Sequence, residues 1–538
     1  MAYAEGLPEG KRTNVMLLRK KRMFRLLGGI ILGGLLGGCG ILEDLFGGDE
    51  GPQPPNTGNV QGYIYTDINR AGQLLASRSP ASLENLRPVE GAQVAITGSP
   101  QIATTNAQGY YRLEKVPAGT QTLTVQKPGF NVLQLKVTVI AGQTVSAGES
   151  LGGRKWTLLI FLNADNDLEP YGVEDVNEME KIGSTDEVAI VVIMDRSPGF
   201  DSSNGDWTDT RRFVIEKDDD PRTMTSARLP ADGGKAEALG ELDLGDPRTL
   251  KEFIKWGQER YPAEHYLLDL WNHGSGWRHR RVWEAAPTRG VSFDDTQGTH
   301  ITTTELPYAL DVENRLDLVV FDSSLMQMFE VAYEIHHRTD IIVGSEESPP
   351  GEGYPYDEWL APLTANPDMT PQELAQTIVN KTIDFLSGTF DVTQSALIAA
   401  QLPLLATALD RFAAALIAAY DKYGSGPFDR ARRSTQRYGF GSIYFAPYKD
   451  LIDYGDQVVA ETNDDTLRER VNALKQALGQ ALLAERHAGS SVSRSHGLSI
   501  YVPDSTDYRD TRTRYRKLAL AKETRWDEWL DTYTGEGK

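Results

Sequence analysis

His265-Tyr266-Leu267-Leu268-Asp269-Leu270-Trp271 is apolar for most of its length and then breaks into Asn272-His273-Gly274-Ser275-Gly276-Trp277. A run without polar alternation is what a strand covered on both faces of a parallel sheet requires. Four other stretches share the texture: Trp156 to Leu162, Glu187 to Ile193, Leu316 to Phe321 and Asp340 to Gly344. Helical spacing lies between them. Val173 to Lys181 mixes charge with apolar positions, Pro247 to Glu259 places Leu250, Phe253 and Ile254 behind a proline start, and Leu325 to His336 follows the fourth run. Alternating strands and helices predict an α/β fold, an open sheet flanked by helices. In such sheets the site lies beyond the carboxyl ends of the strands.

The strand ends carry the chemistry. The run from His265 opens into His273, the run from Leu316 ends in Asp322-Ser323-Ser324-Leu325-Met326, and the run from Asp340 ends in Ser345-Glu346-Glu347-Ser348-Pro349-Pro350-Gly351-Glu352-Gly353-Tyr354-Pro355-Tyr356. A histidine and a hydroxyl at neighbouring strand ends are what a base and nucleophile require. Glycines beside His273 allow a substrate backbone to approach closely. His336 and His337 read as solvent-exposed rather than metal-ligating, and no EF-hand loop is present.

A chain of 538 residues exceeds what one core supports, so two or three domains are expected. The 24% charged content fits globular protein. The net charge of −21 argues against a nucleic-acid partner, since phosphate contacts need clustered cations. One cysteine, Cys39, excludes an intrachain disulfide and a cysteine-based zinc site.

Cys39 sits where a signal ends. Lys11, Arg12, Arg19, Lys20, Lys21, Arg22 and Arg25 precede an apolar run from Leu26 to Leu36, too short to span a bilayer as a helix. Leu36-Gly37-Gly38-Cys39 resembles a bacterial lipobox, which implies loss of residues 1–38, lipid on Cys39, and a membrane-anchored, extracytoplasmic lipoprotein. An uncleaved signal anchor is the alternative. Residues 39–58 include a Gly/Pro-rich tether.

From 59 to 151 short alternating strands are separated by turns: Val94 to Ile96, Tyr110 to Leu113, Thr122 to Val125 and Leu135 to Val139. Their phrasing, with Pro88 to Val94, Thr105 to Tyr110 and Val116 to Gly119, resembles the carboxypeptidase regulatory-like domain, a small all-β prealbumin-like sandwich. It reads as a spacer or as a binding module.

The remainder, 154–538, resembles the clostripain family of cysteine peptidases, which have a caspase-like fold. The motifs are LNADNDLE at 162–169, NHGSGW at 272–277, FDSSLMQMFEVAYE at 321–334, GSEESPPGEGYPY at 344–356, YKDLIDYGDQ at 448–457 and HGLSIYVP at 496–503. The resemblance implies a His/Cys dyad, with His273 as base. Ser324 stands at the cysteine position. It further implies that Asp322 and Glu352 form a pocket for Arg or Lys; the alternative for Asp322 is a helix cap. It brings calcium into view for some relatives, although no metal is assigned here and no cofactor is expected. Arg278, Arg280 and Arg281 fall where some relatives are cleaved.

A thiol with pKa about 8.5 ionises readily beside histidine, whereas a serine hydroxyl must lose its proton during attack, usually to a base held by an acid. No motif supplies that acid. The expectation is therefore a catalytically impaired pseudopeptidase holding basic peptides or a protein partner; the alternative is an active endopeptidase using Ser324 with His273. From about 360 onwards a helical extension is expected, with helices at Gln372 to Leu386, Leu402 to Tyr423 and Leu467 to Leu483, and strands at Gly441 to Phe445 and Leu498 to Val502.

Overall fold

The computed structural model describes residues 57–67, 74–77, 86–130, 132–148, 154–277, 290–439 and 447–536. Cys39 with its signal, Arg278, Arg280, Arg281 and the strand expected at 441–445 lie outside the described residues.

Nine strands form the main sheet. The five apolar runs become β1 (Trp156–Ala164), β2 (Val188–Arg196), β5 (His265–Trp271), β6 (Leu316–Asp322) and β7 (Thr339–Gly344), with β3 (Thr210–Val214) and β4 (Glu237–Gly240) between them in sequence. β8 (Val392–Ile398) and β9 (Leu482–Ala488) complete the set. The spatial order is β4-β3-β2-β1-β5-β6-β7-β8-β9. The five central strands are parallel, and both edges are finished by antiparallel pairs.

Strand periodicity divides β1 between two cores. Leu159 and Phe161 enter one hydrophobic cluster, while Trp156, Leu158, Ile160 and Leu162 enter the other. Helix α1 (Glu169–Glu180) covers the second face with Val173, Val176 and Met179. Helix α2 (Pro247–Arg260) covers the first with Leu250, Phe253 and Ile254. Its start is set by Asp246, whose side chain accepts from the Arg248 N–H, and by Pro247, whose missing N–H costs nothing in the first turn.

Two features depart from the sequence reading. The helix expected from Leu325 starts later, as α3 (Phe329–Ile335). Leu325 has φ +64°, and its N–H and that of Gln327 donate to the Glu347 and Ser345 carbonyls, so this segment is tied to the β7 exit and cannot wind. Beyond Thr339–Gly344, the C-terminal extension adds two strands to the main sheet, β8 and β9, at positions other than the strands expected there. Its helices include Pro371–Leu386, started by a Thr370/Glu373 capping box, and Leu402–Tyr423, which packs into the first core. His337 is exposed and His336 half-buried, with His337 Nδ1 3.1 Å from His336 Nε2.

The N-terminal part is all β. One sheet is built around Thr57–Asp67, the other orders Ile102–Thr104, Gln93–Ile96, Gly119–Gln126 and Leu133–Val139. Val60, Ile64, Leu113, Val94, Leu123 and Val125 share their core. The sandwich touches the α/β part at Glu313. The Tyr63 hydroxyl donates to its carboxylate at 2.6 Å and the Gln61 amide to its carbonyl at 2.8 Å.

Candidate active site

Register brings the two predicted partners together. Trp271 of β5 pairs with Asp322 of β6, and His273 and Ser324 each lie two residues beyond. Asn272 N–H donates to the Asp322 carbonyl at 3.3 Å, which keeps the two exits side by side. Gly274 rests on Ser324: a Cβ there would lie 2.3 Å from the Ser324 carbonyl oxygen and 2.9 Å from its nitrogen. Ser324 is half-buried in a turn. Its neighbour Ser323 is buried, with a hydroxyl that has no hydrogen-bond partner among the described residues.

His273 has a carboxylate partner that the sequence reading did not find. Its Nε2 lies 2.6 Å from Asp167 Oδ1. The hydrogen bond to His273 holds the Asp167 carboxyl below its usual range. Both side chains are open to water, at 42% for His273 and 67% for Asp167. Asp167 belongs to the phrase at 162–169 and leaves β1, the neighbour of β5 in the sheet. That adjacency is the signal that would have exposed it. Among the described residues, no hydrogen bond joins His273 to Ser324.

Asp322 is buried and does not cap a helix, because α3 begins seven residues later. Its Oδ2 accepts from the Tyr354 N–H and the Tyr356 hydroxyl, each at 3.2 Å. Tyr356 also donates to Asp269 Oδ2 at 2.7 Å, and Trp271 Nε1 donates to Asp175 Oδ2 at 2.6 Å. A Cβ on Gly353 would lie 3.2 Å from Asp322 Oδ2 and 3.5 Å from Asp175 Oδ2, so glycine lets this loop pass over both carboxylates. Glu352, next to that glycine, is exposed. The structure therefore gathers Asp322 with Asp175 and Asp269, and leaves Glu352 at the rim.

None of the three buried carboxylates forms an ion pair with a described residue. Taking an ionised carboxylate out of water without a cation costs several kcal/mol, so burial drives protonation instead. Burial, then the charge of Asp322, pushes Asp175 well above the carboxylate range, and burial, then Asp269, does the same to Asp322. Burial raises Asp269 to about 7.

A second buried acidic group, Asp165, Asp195 and Asp294, has the donor atoms a metal would use, with carboxylate oxygens within 4.8 Å of one another. The hard oxygens fit calcium, the ion that the sequence resemblance brings into view.

The family model described as the clostripain family matches residues 160–533. The chain belongs to the clostripain family. A carboxypeptidase regulatory-like domain matches residues 83–148. Clostripain of Hathewaya histolytica is 29% identical over 233 residues, which make up 40% of this chain and 43% of that protein. The chain therefore matches less than half the length of that relative. Among solved structures, an inactive zymogen C11 protease from Parabacteroides distasonis has a TM-score of 0.52 at 21% identity, covering 69% of this chain and 98% of the other. A secreted C11 cysteine protease from Bacteroides thetaiotaomicron, solved with an irreversible peptide inhibitor, has a TM-score of 0.50 at 18% identity, covering 71% and 100%. At these identities the structural likenesses speak for the shared fold.

Gly274→Ala tests how tightly the two exits are packed. The added methyl has no room against the Ser324 backbone, so the variant is expected to lose about 2 kcal/mol of stability in urea denaturation. A loss below about 0.5 kcal/mol would mean that the exits separate freely.

Proposed function

We propose that this chain is a membrane-anchored clostripain-family pseudopeptidase that binds Arg- or Lys-bearing peptide segments outside the cytoplasm. The observation that carries the binding role is the set of three buried carboxylates, Asp175, Asp269 and Asp322, beneath Gly353, with no cation among the described residues to balance them. A guanidinium or ammonium entering beside them would supply the missing charge, and Arg adds bidentate hydrogen bonds. Exposed Glu352 would add attraction at the rim.

Impaired catalysis follows from Ser324 standing where the family resemblance expects cysteine. A hydroxyl needs a strong, oriented base. The His273–Asp167 pair has the right partners, which favours a second reading, a serine peptidase built from Asp167, His273 and Ser324. Its exposure weighs against that reading, because water competes for both groups and screens their attraction. The anchor is proposed from the Leu36 to Cys39 motif, and the secreted relative from Bacteroides thetaiotaomicron is in keeping with an extracytoplasmic location.

Three outcomes test this. First, an Arg peptide should bind the full chain about tenfold or more tightly than its Glu counterpart in calorimetry. A cation favours the ionised carboxylates, whose pKa values are raised in the free protein. Affinity should therefore fall as pH drops from 8 to 6, through the range where Asp269 takes up its proton, and binding should release protons. Asp322→Asn should weaken binding and flatten that dependence. Equal affinity for the two peptides would remove the pocket.

Second, Ser324→Cys should gain thiol labelling and turnover of Arg or Lys substrates on the order of a thousandfold over wild type. His273→Ala should abolish both the turnover and the enhanced labelling. A robust wild-type rate, lost in Ser324→Ala and lowered in Asp167→Asn, would establish the serine peptidase instead.

Third, mass spectrometry of the membrane-extracted protein should find a lipid-modified N-terminus at Cys39. An unmodified chain beginning at Met1 would refute the anchor.

A further inference from the structure

Lys449 is only 3% exposed, and among the described residues its ammonium has no hydrogen-bond acceptor and no acid at ion-pair distance. The charges that bear on it are Arg432, Arg437 and Arg494, with Asp453 the one acid. Four cations sharing one acid run against a chain that carries 76 acids and 55 Lys and Arg.

The fold puts these cations together. Lys449 lies in the strand Tyr448–Asp450 and forms an antiparallel bridge with Arg437. Residues directly opposite across such a bridge project to the same face, so two like charges stand side by side, an unfavourable pair. Arg494 is held beside them. Its Nη2 donates to the Ser434 carbonyl at 2.6 Å and its Nη1 to Asp453 Oδ1 at 3.3 Å. Arg432 sits in the last turn of the helix Ser425–Ser434, where its Nε donates to the Tyr533 hydroxyl at 3.0 Å. The carboxyl end of that helix offers about half a negative charge, too little for four cations. Asp453 is already engaged, since it also accepts from the Gln436 N–H and from Gln457 Nε2. Burial, then the charges of Arg432 and Arg437, lower the Lys449 amine to about 7, the response of a group that nothing neutralises.

Arg437 and Arg494 are exposed, Arg432 is half-buried and Lys449 is buried, so the cluster runs from solvent inward. It lacks a negative charge that the described protein does not supply. Arginine forks and a lysine ammonium suit a phosphate group, whose several terminal oxygens accept more of these donors than the two of a carboxylate.

We infer that Arg432, Arg437, Lys449 and Arg494 form an anion site and that a phosphate group is what it takes. The neighbouring side chain in the strand, Tyr448, projects to the other face and donates its hydroxyl to the Ser275 carbonyl at 2.6 Å, two residues from His273. The site therefore lies on the strand that braces the His273 loop. It is independent of Ser324 and of the carboxylates around Asp322.

The test titrates the full chain with inorganic phosphate and, separately, with acetate at matched ionic strength. Calorimetry should find about one phosphate per chain, with acetate at least about tenfold weaker, and phosphate should raise the melting temperature. Arg437→Gln, which is exposed, and Lys449→Met should each weaken phosphate binding at least about tenfold. Without phosphate, Lys449→Met should melt no lower than wild type, because it removes a buried charge that has no partner. Arg222→Gln, an exposed change of the same charge, should bind as wild type does. Glycerol 3-phosphate and a soluble short-chain phosphatidic acid separate two sources of the group. Tighter binding of the second assigns a lipid headgroup, and equal binding assigns a free phosphate ester. No saturable phosphate binding, or binding unchanged in both variants, would overturn the site. So would a Lys449→Met chain that melts well below wild type without phosphate, since the ammonium would then have a partner within the protein. Acetate binding as tightly as phosphate would overturn the choice of group.

Discussion

The pairing of Trp271 with Asp322 fixes the geometry of the site. A parallel ladder leaves no freedom once its register is set, because slipping by one residue would turn every side chain to the opposite face. With that pair in place, His273 and Ser324 leave the sheet at the same level, and Gly274 can lie against the Ser324 backbone. The left-handed Leu325 and its hydrogen bond to Glu347 then hold the serine turn against the next exit. A non-glycine residue at positive φ is costly, and it persists here because packing and hydrogen bonds on both sides leave no alternative.

The second constraint is electrostatic. Six buried aspartates stand in two groups, Asp175/Asp269/Asp322 and Asp165/Asp195/Asp294, and no described residue forms an ion pair with any of them. Such groups are poor stabilising elements in the free protein, since each must be protonated or remain charged in a low-dielectric setting. They become favourable when a cation arrives. The first group faces the loop carrying Glu352; the second is closed in by Thr296, Thr210, Gln297 and Leu244.

The five central strands were legible in the sequence because helices cover both faces of the parallel sheet, which leaves no polar alternation to confuse the reading. Strand β8, between β7 and the edge strand β9, was not legible, and its composition explains why. Thr393, Gln394 and Ser395 look like loop residues, yet all are buried. Thr393 bonds to Ser345, Gln394 donates to the Tyr354 hydroxyl, and Ser395 accepts from Gln327. They are polar because they brace the exits of β6 and β7. His273, Ser324 and Asp322 were legible from their strand ends. Asp167 was not, because it lies 106 residues from His273 and meets it only through the sheet order β1-β5. Asp175 was missed for the same reason. It sits on α1, and only folding shows that this helix covers the loop at Gly353.

The distribution of exposure around His273 bears on the choice between a pseudopeptidase and a serine peptidase. A serine nucleophile depends on an acid that fixes the imidazole in one orientation and stabilises its charge, which works best where water is excluded. Here the acid is the most exposed member of the constellation. A thiolate tolerates such an arrangement, because its nucleophile can be ionised before attack and asks less of the base. A hydroxyl does not. The exposed acid is therefore the feature that favours the proposed pseudopeptidase over a serine peptidase built from Asp167, His273 and Ser324.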